Sequence, residues 1–112
     1  MANTDQNVEI WEGEYREIPF TVQDAAGVAV NLTGATLSWR MTRGGPTGTT
    51  VLTKTPTVVS AASGTGKITL AEADTVDIGG VTYYHELVVE DSAGHSEVGF
   101  IGAFKIRKSA IL

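Results

Sequence analysis

The 112-residue chain contains no cysteine. That excludes a disulfide scaffold, a thiolate nucleophile and any cysteine-ligated zinc site. No apolar run approaches the ~20 residues that cross a bilayer. The opening Met-Ala-Asn-Thr-Asp-Gln-Asn has neither a basic segment nor an apolar one, so no signal peptide and no membrane partner are expected. Cations are few: 8 Lys and Arg stand against 13 Asp and Glu, for a net charge of −5. An acidic surface repels phosphate, which removes nucleic acid from the expected partners. Histidine occurs twice, at His85 and His95. A strand position and a turn position do not supply the three or four converging ligands of a zinc site.

Catalytic motifs are also missing. There is no Gly-x-Ser-x-Gly elbow to present a nucleophile. Gly64-Thr65-Gly66-Lys67 lacks the four-residue spacer of a phosphate loop and precedes a strand rather than a helix. Asp74-Thr75-Val76-Asp77 lacks the Asp-x-Asp-x-Asp-Gly spacing and distal Glu of a calcium loop. Capping of a short helical turn is the better account of Asp74. No cofactor, no metal and no enzyme activity are expected.

What the chain does have is apolar residues at every second position, broken at short intervals by turn clusters. Period two means strands with one buried face. Regular turns between them mean an all-β sandwich of about seven to eight strands, antiparallel and rich in hairpins, with one short helical turn. The length fits one domain. Residues 1–6 read as an N-terminal arm, 7–108 as the sandwich and 109–112 as a C-terminal tail.

The expected strands are 7–11, 15–22, 28–32, 35–43, 51–60, 67–70, 81–91 and 96–108, with 71–76 as the helical turn. In 15–22, Ile18, Phe20 and Val22 point inward, and Pro19 places the strand at an edge because it has no amide donor. The strand 51–60 is interrupted at Pro56. Leu37, Trp39 and Met41 share one face of 35–43. Tyr83, His85, Leu87 and Val89 share one face of 81–91, which makes His85 a hydrogen-bonded core histidine rather than a ligand or base. His95 falls in a solvated hairpin tip. Val98, Phe100, Phe104 and Ile106 point inward from the last strand. Gly99 and Gly102 there signal a bulge or a close backbone approach.

Candidate contact residues stand out of phase or at the ends. Trp11 breaks phase with Val8 and Ile10. It either covers the end of the sandwich or anchors an interface. Tyr84 is out of phase with Tyr83 and presents its ring on a sheet surface. Asp5, Glu9, Glu12, Glu14 and Glu17 crowd the first strands; Lys105, Arg107 and Lys108 crowd the last. These are either two solvated faces or the acidic and basic ends through which copies meet. The apolar Ile111 and Leu112 that follow suit docking onto a neighbour.

Several stretches together carry a family resemblance. They are Val8-Glu9-Ile10-Trp11-Glu12-Gly13-Glu14, Asn31-Leu32-Thr33-Gly34-Ala35-Thr36-Leu37, the passage from Gly66 to Thr75 with Gly80 to Asp91, and the closing Ala93-Gly94 and Gly102 to Ile106. The chain resembles the immunoglobulin-like β-sandwich modules of tailed-phage and prophage virion proteins, such as the N-terminal domain of baseplate upper proteins. The resemblance spans nearly the whole chain. It implies a non-enzymatic structural part, made in the host cytoplasm and built into the virion, whose partners are other virion proteins and copies of itself. That family has no catalytic residues to carry over. In baseplate proteins the module is followed by a long remainder, whereas this chain stops soon after its last strand. The expectation is therefore an accessory subunit of the tail, baseplate, connector or capsid surface. A carbohydrate-binding sandwich is the alternative; it requires exposed aromatics in a row, for which Trp11 and Tyr84 are the candidates.

Overall fold

Pairing within the chain follows the alternation. In a computed structural model, which describes residues 6–112, the elements run β1 (Val8–Trp11), β2 (Arg16–Thr21), β3 (Thr36–Arg43), β4 (Thr49–Lys54), β5 (Thr57–Ser60), β6 (Thr65–Leu70), α1 (Glu72–Thr75), β7 (Val81–Glu90) and β8 (Ser96–Arg107). Asp5 and all of the expected arm except Gln6 lie outside the described residues. The strands form two layers, one ordered β1-β8-β7-β3-β4 and the other β2-β6-β5. This is the expected β-sandwich.

The inner faces are filled as the periodicity requires. Leu37, Trp39 and Met41 of β3, Ile68 and Leu70 of β6, Tyr83, Leu87 and Val89 of β7, and Phe100, Phe104 and Ile106 of β8 are all buried. Each such side chain contributes about 1.5–3 kcal/mol by leaving water. Phe20 from the smaller sheet meets Phe100 from the larger one edge-on, with ring centroids 5.4 Å apart. Pro19 sits on β2, an edge strand, as its missing amide demands.

The structure departs from the expected pattern at four places. β1 pairs with β8 in parallel, not antiparallel, with Val8 opposite Phe104 and Trp11 opposite Arg107. The cause is the turn at Gly13, which carries the chain out of one sheet into the other, so no hairpin partner for β1 exists. Gly13 has φ +75°, a conformation that glycine adopts without cost.

The strand expected at 28–32 is absent; an isolated bridge between Gln23 and Ala29 is all that forms. Val30 and Leu32 instead donate their amides to the carbonyls of Val22 and Ala61, and Leu32 plugs the core. The segment 51–60 becomes two strands in different sheets, β4 and β5, with the break at Pro56. Finally, Val98 is exposed, not inward. A bulge lies where Leu87 pairs with Phe100 but Val88 pairs with Val98. Gly99 is the extra residue, and it flips the phase of everything before it in β8.

The helical turn forms as expected. Asp74 Oδ2 accepts the Ala71 amide at 2.8 Å and takes Lys54 Nζ at 2.8 Å.

Candidate interaction surfaces

His85 is the buried polar centre of the core. Trp39 Nε1 donates to its Nδ1 at 3.0 Å, and its other nitrogen, Nε2, meets the backbone carbonyl of Gln6. The rings of Trp39, Phe100 and Phe104 stand 5.2–6.0 Å from it. Burial pushes its pKa down, against a smaller upward pull from the Gln6 carbonyl. A neutral imidazole with both nitrogens engaged is a packing element, as its position in the alternation indicates. Gly102 makes the contact possible: a Cβ there would collide with the Gln6 carbonyl. Among the described residues no buried side-chain nitrogen or oxygen lacks a partner. No group of three or more His, Asp or Glu residues among them is placed to hold a metal ion. Among the described residues no helix is long and apolar enough to cross a membrane.

The parallel pairing of β1 with β8 decides where the charged residues go. Glu9 stands opposite Lys105 and Trp11 opposite Arg107. Arg107 Nε donates to Glu9 Oε1 at 2.8 Å, and Lys105 Nζ lies 4.0 Å from the same carboxylate. These contacts, the Arg107 hydrogen bond foremost, hold Glu9 below its ordinary pKa. The Arg107 guanidinium also lies over the Trp11 ring, 5.7 Å from its centroid. Part of the acidic start, Glu9, is therefore paired with the basic finish within one molecule.

Trp11, Lys105, Arg107 and Lys108 come together around a depression of about 300 Å³, with Gly80, Val81 and Thr82 beside them. Trp11 is 47% exposed. The tail folds back next to this site. Ser109 Oγ accepts the amides of Ile111 and Leu112 at 3.1 and 3.0 Å. Leu112 packs over Gly13, while Ile111 stays 93% exposed.

Glu12 is the residue that sequence reasoning missed. It reads as a turn residue, yet it is 2% exposed. Its carboxylate accepts the amides of Gly79 at 3.0 Å and Ser109 at 2.9 Å, with Lys108 Nζ at 3.7 Å. The Ser109 amide is the main reason its pKa is held low. Glu12 ties the end of β1 to the loop before β7 and to the tail. The one signal for it is Gly79, where a Cβ would fall 2.6 Å from Glu12 Oε2.

Tyr84 shares the outer face of the larger sheet with Trp11 but does not join it. Their partners on β8, Ala103 and Arg107, lie about 13 Å apart along the strand, with Lys105 between. The row of aromatics that a glycan platform needs is not formed by this pair. Tyr84 Oη donates to Glu86 Oε1 at 2.6 Å, and desolvation together with that carboxylate pushes its pKa up to about 12.

The opposite end of the sandwich is built from the loops 22–35, 61–64 and 91–95. Asp91 Oδ1 accepts the amides of Ala93 and His95 and shapes the β7–β8 hairpin tip, where His95 is exposed. Glu90, Asp91 and Glu97 belong to the hairpin, and no Lys or Arg occurs in the loops at this end.

The described residues thus define a two-layered β-sandwich with an aromatic, cationic groove at one end and an acidic hairpin at the other. No protein-family model matches the chain, and no curated protein matches it. Among solved structures, the chain is similar to the N-terminal domain of phage TP901-1 ORF48, with a TM-score of 0.63 over 96% of this chain and 91% of that one. The two are 11% identical, so what they share is the fold.

Proposed function

We propose that the chain is a non-enzymatic structural subunit of a tailed-phage or prophage particle. In this reading the sandwich is an immunoglobulin-like module of the tail, baseplate, connector or capsid surface. It works by protein–protein contact with other virion proteins and with copies of itself. The observation that carries the proposal is the likeness, over nearly the whole of both chains, to a domain of a phage protein. The engaged state of His85 supports it, because a core imidazole bonded through both nitrogens has no free lone pair to serve as a base.

Trp11, Tyr84, Lys105, Arg107, Lys108, Ile111 and Leu112 are the proposed contact residues. Tryptophan, tyrosine and arginine are the side-chain types that dominate interface energetics.

Peptide mass mapping of purified particles tests the reading. The expected result is recovery of this chain at a fixed ratio to the major structural proteins. Its absence from particles, with abundant protein in the same lysate, would overturn the proposal.

A further inference from the structure

We infer that two copies of this chain associate head to tail, the acidic β7–β8 hairpin end of one seated on the Trp11 groove of the next. The inference rests on the reading of the chain as a structural subunit and names one of its partners: a second copy.

The argument begins with where charge is left over. All eight Lys and Arg lie outside the β7–β8 hairpin, while Glu90, Asp91 and Glu97 lie within it. Those carboxylates have no lysine or arginine within ion-pairing distance among the described residues; His95, 3.7 Å from Asp91, is the nearest basic group. The groove is the reverse. Lys105, Arg107 and Lys108 surround it against two nearby carboxylates, Glu9 and Glu12, which leaves one positive charge over. Glu9 is bound by Arg107, and Glu12 by two backbone amides. The side chains of Lys105 and Lys108 remain 49% and 66% exposed. Trp11 beside them offers an apolar wall that is half open to water.

Two copies can meet through these ends in three ways. Hairpin to hairpin sets three carboxylates against three. Groove to groove sets the exposed Lys105 and Lys108 of each copy against the same residues of the other. Hairpin to groove alone pairs opposite signs, which both steers the encounter and fixes its orientation. Shape agrees, because a protruding hairpin tip meets a concave site. Such a contact uses two different surfaces, so it propagates into a ring or a filament instead of stopping at a dimer. The long axis of the molecule, 44 Å, sets the scale of the spacing between copies.

Sedimentation velocity on the full chain tests this without any variant. Association is expected at low salt, with an apparent Kd that rises at least about tenfold by about 0.5 M salt, where charges are screened within a few ångströms. Two charge-reversed variants then locate the contact. Lys105→Glu with Lys108→Glu reverses the groove; Glu90→Lys with Glu97→Lys reverses the hairpin. All four positions are exposed, and circular dichroism checks that each variant is folded. Each variant alone is expected to be monomeric. An equimolar mixture is expected to associate, because both contacts then join opposite signs. A wild-type chain that stays monomeric at low salt and high concentration overturns the inference. So does association that survives salt and both reversals. Either failure leaves the mass mapping of particles untouched, so the loss of this contact is distinguishable from the loss of the structural-subunit reading.

Discussion

Trp39 Nε1 donates to His85 Nδ1 at 3.0 Å across the paired strands β3 and β7. The donor fixes the tautomer. Nδ1 must accept, so Nε2 carries the proton and donates to the Gln6 carbonyl. Replacing Trp39 by Phe keeps an aromatic ring but leaves Nδ1 buried without a donor. The expected cost is about 1–3 kcal/mol. It is read as a lowered urea midpoint with an unchanged slope. A loss below about 0.5 kcal/mol would mean that the bond carries no weight.

The same histidine sets an acid sensitivity. Its folded pKa lies below the ordinary value because the charged form is desolvated. An unfolded imidazole titrates near about 6.5. Below that pH the unfolded chain takes up a proton that the folded chain refuses. Stability is therefore complete above about pH 7 and falls as the pH drops towards the folded pKa, by up to about 1.4 kcal/mol per pH unit. Glu12 and Asp91, whose pKa values are lowered, act in a separate window. Their contributions hold above the ordinary carboxylate value and vanish only as the pH falls through their own folded values. Urea midpoints at about pH 7.5 and about pH 5.5 measure the His85 effect. A His85 ring resonance that titrates normally in the folded protein would contradict it.

Gly102→Ala is expected to displace the segment before β1. The new Cβ would strike the Gln6 carbonyl and come within 3.1 Å of His85 Nε2. Overpacking of this kind costs about 1–3 kcal/mol. Amide exchange should quicken at Val8 and Ile10, which belong to an edge strand, and stay slow in β3 and β7. Uniform acceleration across all strands would show that the glycine serves something other than this contact.

Glu12→Gln probes the three-way tie. The amide keeps the size of the side chain but removes the charge and replaces one accepting oxygen with a donor. Two backbone amides then compete for a single oxygen. The expected outcome is a lower Tm and faster exchange at Gly79 and Ser109, with the core amides unaffected at low temperature. An unchanged Tm would mean that water satisfies the two loops equally well.

Much of this architecture was legible from alternation. The inward phases of β3, β6 and β7 follow directly from residue order, because a pleated strand offers no other way to bury Leu37, Trp39 and Met41 together. The out-of-phase position of Trp11 was legible for the same reason; whether it would cover the end of the sandwich or stay open to water was not. Long-range pairing was not. Nothing in Val8–Trp11 states that its partner is β8 or that the two run in parallel, so the ion pairs between Glu9 and the basic finish were invisible. Val98 was misread because a single glycine bulge at Gly99 shifts phase, and a period count assumes that no residue is skipped. Glu12 escaped because its burial comes from two loops distant in sequence, not from its own strand.

The position of β8 between β1 and β7 has a consequence for assembly of the fold itself. The Asn7 side chain and the Ala103 amide that it accepts are separated by 96 residues. On the ribosome β1 must wait, unpaired, until almost all of the domain has been synthesised. Pairings across such distances in sequence are slow to form. β1 therefore cannot lock into its sheet before β8 is in place, which ties the two ends of the domain to one closing event.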